Sequence, residues 1–266
     1  MKTNIQIDSI IAKPGETTYG FLDAGEMQDG TIIKLPIAII NGIEDGPIIY
    51  IQAGSDGNEL NGIAVIHNLL NSISPVNING AIIAVPIANV FAFHFRQAQS
   101  VADSKKMNRC FPGKQNGTSS ERIAYKLFHS AVLKSQYCID LHQGGINPMI
   151  DSVNVRVSRR HRLHKKCMEL ARVFGIGYIL DEKGPKGQLA QVAPDNNIPT
   201  IDPELGGCCG WDEISINKGI RGIYNVLRYY GLLKGEPEIP QGQIVVRKLL
   251  TIQNNHGGFI KYRANL

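Results

Sequence analysis

Two carboxylates stand three residues apart in "YIQAGSDGNELNG", residues 50–62, where Asp56 and Glu59 follow an apolar run that breaks at Gly54 and precede a second run with helical spacing. Two other segments share this arrangement. "YCIDLHQGG" ends its apolar run near His142, and "IPTIDPELGG" ends near Glu204. In an open α/β sheet, ligands gather at the carboxyl ends of the strands, so three strand ends can deliver these groups to one crevice. The inventory is that of a metal hydrolase: three protein ligands leave a position for water on a catalytic ion, and a further carboxylate serves as general base. Asp56, Glu59 and His142 are therefore the expected ligands, and Glu204 the expected base. "KKMNRCFPG", residues 105–113, adds adjacent Asn108 and Arg109 before a Phe-Pro-Gly turn. The planar guanidinium of Arg109 suits a substrate carboxylate. Arg96, in "FHFRQAQ", offers a second positive charge for the scissile carbonyl, where oxyanion charge develops during attack by water.

Each residue alone has a plainer explanation. Acids at a helix start serve the helix dipole or an N-cap. A single buried histidine is usually hydrogen-bonded in a core, and a single arginine usually forms a surface ion pair. The strand-end positions, taken together, favour the catalytic reading. Cys208 and Cys209 follow Glu204, but neighbouring cysteines rarely face one ion together. His67, His94, His129, His161 and His164 have no companion motif and are expected to be structural or surface residues.

The elements that would position these groups follow from periodicity. Strand-length apolar runs occupy residues 31–40, 47–53, 80–88, 137–142 and 198–205, and helical spacing occupies 59–71, 120–135, 161–174 and 217–233. "TSSERIA", residues 118–124, supplies hydroxyl caps and places Glu121 in the first turn of its helix. Strands alternating with helices imply an α/β sheet covered on both faces. Residues 1–235 form the expected catalytic domain. Beyond them, residues 236–266 begin with a Pro/Gly linker and continue as short β-like runs.

Composition limits the function classes. The 266 residues include 43% hydrophobic and 19% charged residues, consistent with one well-packed main domain. No apolar run reaches membrane-span length and no secretory signal pattern opens the chain, so a cytoplasmic protein is expected. The five cysteines lack metal-finger spacing and are expected to be reduced thiols. The net charge of +5 is concentrated in "RVSRRHRLHKK", residues 156–166. Without interleaved aromatics, that segment is expected to be a solvated loop entering a helix rather than a nucleic-acid surface.

The motifs "AGSDGNELNG", "MNRCFPG", "IDLHQGG" and "PELGG", in this order, resemble the succinylglutamate desuccinylase/aspartoacylase family of zinc carboxypeptidase-like (M14-type) hydrolases. "NRCFPG…GTSSERIA…IDLHQGG" is most similar to the N-acetyl-diaminobutyrate deacetylase branch. The resemblance implies a three-layer α/β/α fold with a mixed, largely parallel twisted sheet. It also implies hydrolysis of an amide joining an acyl group to a small amino acid. In that mapping Glu59 and His142 hold zinc, Glu204 moves the proton, Arg96 polarises the carbonyl, and Asn108 with Arg109 grips a carboxylate.

The sequence departs from the family pattern where His-x-x-Glu becomes Asp56-x-x-Glu59. Oxygen ligation makes the site harder, so Mn²⁺ or another oxygen-preferring ion competes better with Zn²⁺. The relatives also continue into a C-terminal β domain, of which residues 236–266 would be a short remnant. The expected function is metal-dependent deacylation of a small N-acyl amino acid or related amide carrying a carboxylate. The alternatives are a degenerate member that binds a carboxylate without turnover, and a carboxypeptidase acting on peptides. Neither a nucleic-acid nor a membrane partner is expected, and a homo-oligomer is left open.

Overall fold

Ile49, Tyr50 and Ile51 are consecutive residues of one strand, and all three are completely buried. Consecutive strand residues point to opposite faces, so both faces of their sheet must be covered. The computed structural model, which describes residues 2–145, 149–208, 210–250 and 255–258, has that architecture. A short hairpin, β1 (Ile5–Ile7) and β2 (Ile10–Ala12), precedes β3 (Glu16–Glu26), β4 (Ile32–Asn41) and β5 (Glu44–Gln52). Helix α1 (Asn61–Ser72) leads to β6 (Asn79–Val85), then the short α2 (Val90–His94), a long loop and α3 (Ser119–Ser130). After β7 (Tyr137–Asp140) and β8 (Ser152–Val155) come α4 (His164–Phe174), β9 (Tyr178–Asp181) and α5 (Leu189–Val192). The chain continues through β10 (Thr200–Glu204), α6 (Glu213–Tyr229) and β11 (Ile244–Val246).

Among the described residues one nine-stranded sheet runs β11-β9-β8-β10-β7-β5-β6-β4-β3. Its pairing is parallel through β10, β7, β5 and β6 and again through β8, β9 and β11, and antiparallel for β8 with β10, β6 with β4 and β4 with β3. This is the mixed, largely parallel sheet expected from the sequence. Ile49, Ile51, Ile82, Ala84 and Ile139 pack on one face with residues of α1, α4 and α6. Tyr50, Ile83, Val85 and Cys138 pack on the other with residues of α3, α5 and the β1–β2 hairpin. The alternation within each strand therefore divides the apolar residues between two cores.

The five apolar runs became β4, β5, β6, β7 and β10, with ends shifted by a few residues, and the four helical patterns became α1, α3, α4 and α6. The capping residues behave as expected: the Thr118 backbone N–H donates to the Glu121 carboxylate at 3.0 Å. Strands β1, β2, β3, β8 and β9 and helices α2 and α5 were not anticipated. In the tail, β11 pairs with β9 in parallel and extends the main sheet; residues 251–254 and 259–266 lie outside the described residues. No helix among the described residues is long and apolar enough to cross a membrane.

Helices α4 and α6 approach closely because α6 carries Gly222 at the crossing. A Cβ there would lie 2.5 Å from the ring of the buried Phe174. In an exposed helix, Gly→Ala would stabilise by about 1 kcal/mol. At Gly222 overpacking should prevail, so Gly222→Ala should destabilise the protein by about 1–3 kcal/mol. A urea titration checks this: the midpoint should fall while the m-value stays constant.

Candidate metal centre and active site

Strand β5 has β6 on one side and β7 on the other, so the chain leaves it in one direction and returns across it in the other. This reversal is a topological switch point, and it opens a crevice at the carboxyl ends of β5 and β7. Asp56 and Glu59 follow β5, His142 follows β7, and Glu204 ends the adjacent β10. A parallel bridge joins His142 to Glu204 directly. The turn carrying the two acids is packed against the end of α2, where Gly57 donates its N–H to the Gln97 carbonyl at 2.8 Å. A Cβ at Gly57 would lie only 1.9 Å from the Ala92 carbonyl carbon, so glycine permits the approach.

One potential ligand atom from each of Asp56, Glu59 and His142 falls within 4.8 Å of the others, and all three residues are buried. His142 Nδ1 faces Glu59 Oε2 at 2.8 Å, and its Nε2 faces Asp140 Oδ2 at 3.2 Å. As an imidazolium, His142 donates to both carboxylates. As a neutral ligand it keeps the Nε2 proton on Asp140 and frees the Nδ1 lone pair, the usual orientation of a metal-binding histidine by an outer carboxylate. Asp56 Oδ1 is buried without a hydrogen-bond partner among the described residues. An orphaned carboxylate oxygen beside a second acid and an imidazole fits a divalent cation.

Burial raises the pKa of Glu59 to about 7, with His142 opposing the rise and Asp56 adding to it. Glu204 is raised to about 8, first by burial and then by Asp202, against the pull of His142. Burial works against a charged His142, but Asp140 and Glu59 overcome it and hold its pKa well above the ordinary value.

Several positioning residues have partners distant in sequence. The Gln143 side-chain oxygen accepts from the N–H groups of Leu60 and Asn61 at 2.9 and 3.2 Å, capping α1 immediately after Glu59. Its backbone N–H donates to Glu59 Oε2 at 3.1 Å. Gln52 donates to Asp140 Oδ1 at 2.8 Å and accepts from the Tyr50 hydroxyl at the same distance. Arg156 reaches Asp202 at 2.9 Å and Glu204 at 3.6 Å. Arg156 opens the basic segment expected to be a solvated loop. The segment does enter α4, and Arg160, Arg162, Lys165 and Lys166 are exposed as expected, whereas Arg159 and His164 pair with Asp181 and His161 pairs with Asp195.

Asn108 also joins the cluster: it is buried, and its side-chain amide lies 3.1 Å from His142 Nε2. Arg109 is exposed and donates to the backbone carbonyl of Asn108. Arg96 is exposed, with its guanidinium carbon 5.6 Å from the centroid of the Phe93 ring. A cavity of about 510 Å³ opens beside Glu204, with Asn154 and Arg156 on its polar wall and Ile150, Tyr178 and Leu180 on its apolar wall. Cys110, Cys138, Cys167 and Cys208 are free thiols, and Cys209 lies outside the described residues.

The model of the succinylglutamate desuccinylase/aspartoacylase catalytic domain matches residues 45–230, which span the whole cluster. The chain belongs to this family. It is 26% identical over 258 residues to the N-alpha-acetyl-L-2,4-diaminobutyric acid deacetylase of Halomonas elongata, covering 93% of this chain and 75% of that relative. The fold is similar to that of a succinylglutamate desuccinylase/aspartoacylase from Rhodobacter sphaeroides, with TM-score 0.79, 24% identity and coverage of 93% of this chain and 76% of the other. It is likewise similar to the product-bound ectoine utilization protein EutE (DoeB) from Ruegeria pomeroyi, with TM-score 0.79, 23% identity and coverage of 91% and 73%.

The buried acids carry a testable sign. Glu59, Glu204 and His142 all have raised pKa values in the folded protein, so each contributes stability that is complete below its unfolded pKa and is lost as pH rises through its folded pKa. Asp202 is lowered, because Arg156 and His142 overcome its burial penalty, and its opposite effect lies below pH 3.8. In chelator-treated protein, the melting temperature should therefore fall from about pH 4.5 toward pH 8. Scanning calorimetry with and without Zn²⁺ checks this, and the ion should flatten the decline.

Proposed function

We propose that this family member is a metal-dependent amidohydrolase that removes the acyl group from a small N-acylated amino acid or related amide. The convergence of Asp56, Glu59 and His142 beside Glu204 carries the reading. Asp56, Glu59 and His142 would hold the ion, with Zn²⁺ the first choice and Mn²⁺ admitted by the two oxygen donors. When bound, a divalent ion there supplies Lewis acidity to the scissile carbonyl and to the attacking water.

The remaining work belongs to side chains. Glu204 takes the proton from the attacking water and delivers it to the leaving nitrogen, giving a carboxylate and a free amine. Its raised pKa suits both halves of this transfer, because a base near neutrality can also return the proton. Arg109, with Asn108 beside it, would grip the substrate carboxylate. Arg96 would have to leave the Phe93 ring to reach the carbonyl. The cavity beside Glu204 gives the less polar part of the substrate an apolar wall.

The deacetylase similarity supports testing N-acetylated diamino acids first, within a panel of N-acyl amino acids assayed with several divalent ions. Glu204→Gln should lower kcat by on the order of a thousandfold while metal content is unchanged, since the attacking water loses its base. Near-normal turnover would remove Glu204 from this role. Arg109→Lys should chiefly raise KM for carboxylate-bearing substrates, because a point charge replaces a bidentate fork. Steady-state kinetics over the same panel distinguishes the two effects.

A further inference from the structure

Adjacent lysines in "KKMNRC" are directed to opposite sides of their loop. The Lys105 ammonium pairs with Glu121 at the start of α3, at 3.2 Å. The Lys106 ammonium pairs with Asp56 Oδ2 inside the crevice, at 2.6 Å. The surrounding loop is tied down on both sides of this pair. Ser100 donates its N–H to the Lys105 carbonyl at 2.9 Å, and Arg109 donates to the Lys106 carbonyl at 3.0 Å. Asp103 accepts from the backbone N–H and the hydroxyl of Ser120, both at 2.8 Å.

The other oxygen, Asp56 Oδ1, is the buried atom with no hydrogen-bond partner among the described residues. One carboxylate oxygen is thus held by an ammonium, and the second is left for the Glu59–His142 cluster. We infer that Lys106 is a positioning residue of the metal centre: it restrains Asp56 to donate through one oxygen and cancels its charge, so the pair acts as a neutral, single-atom ligand. This rests on the metal-centre reading above.

The electrostatic consequence follows from formal charges. Two carboxylates and a neutral imidazole cancel a divalent ion completely, which weakens its ability to acidify water. With the Lys106 ammonium on Asp56, one positive charge remains, as it would with a single carboxylate and two neutral imidazoles. Asp56 and Lys106 should consequently behave as a unit toward the ion, and replacing Asp56 with histidine should leave the ammonium facing an imidazole without a counter-charge.

A double-substitution cycle on the full chain measures this unit, with Zn²⁺ affinity determined by competition against a chromophoric chelator and folding monitored by circular dichroism. Asp56→His alone should weaken Zn²⁺ binding by about tenfold or more, and adding Lys106→Met should restore it to within about threefold of the wild type. Lys106→Met alone should alter the visible absorption of the Co²⁺-loaded protein, lowering its intensity as Asp56 gains a second bond to the ion. Additive effects of the two substitutions, or a Co²⁺ spectrum of Lys106→Met that superimposes on the wild type, would overturn the role of Lys106 while leaving the metal centre standing. Wild-type protein that takes up neither Zn²⁺ nor Co²⁺ would overturn the centre itself. Should Asp56→His fail to fold, the Co²⁺ comparison still decides.

Discussion

Like charge concentrated at one end of a sheet is the constraint around which this molecule is arranged. The carboxylates of Asp56, Glu59, Asp140, Asp202 and Glu204 meet where β5, β7 and β10 end, and the first four are buried. Removing such groups from water costs several kcal/mol apiece unless cations and donors compensate. The compensation comes from separate parts of the chain: Lys106 from the loop before α3, His142 from the end of β7, and Arg156 from the end of β8. Protons or a divalent ion must balance the remaining negative charge. The raised pKa values of Glu59 and Glu204 express that competition, since a proton on either acid relieves what a bound cation would otherwise relieve.

The sheet makes this concentration of charge structurally tolerable. Two apolar cores hold β5 and β7 rigidly from opposite faces, so the side chains at their ends have little freedom to separate. Hydrogen bonds then extend the restraint beyond the last paired residues. Leu141 donates to Gln52, His142 to Pro203 and Leu205 back to His142, at 2.8, 2.8 and 2.9 Å. Gln143 joins the same restraint to α1, because the side chain that caps the helix belongs to the residue after the histidine. The turn carrying Asp56 and Glu59 and the strand end carrying His142 are consequently fixed by one another.

The residues that meet at the candidate site were legible in the sequence because they lie at or just beyond the ends of strong apolar runs, and a strand end is where an α/β sheet exposes its functional groups. His142 and Glu204 lie at the ends of such runs, and Asp56 and Glu59 follow one within a few residues. Lys106, Asp140, Gln143 and Arg156 were not recognised, since their partners lie far away along the chain and no local spacing announces them. The same distinction holds for the elements. β5 and β6 bury both faces and give long apolar runs, whereas β8 and β9 have four residues each, and β3 alternates only weakly on an edge with much of its surface exposed. The basic segment shows the limit of composition as a guide: its charge is evident in the sequence, but not that Arg156 turns inward to Asp202 and Glu204 and Arg159 meets Asp181 while the other four cations stay exposed.

Glu204 lies between two environments, and both bear on its proton affinity. On one side it borders His142, and on the other it faces the cavity with Arg156. Burial and Asp202 raise its pKa, while His142 and Arg156 lower it. Arg156 also holds Asp202, so the guanidinium stabilises the charged form of the very acid that raises Glu204. Its direct and indirect influences on Glu204 therefore oppose each other: it attracts a proton away from Glu204, yet it keeps Asp202 ionised and repelling. Any molecule that filled the cavity would displace water from beside Glu204 and Arg156 and strengthen the interaction between them. The proton affinity of Glu204 thus rests on the balance among Asp202, His142 and Arg156, and Arg156 enters that balance twice, once directly and once through Asp202.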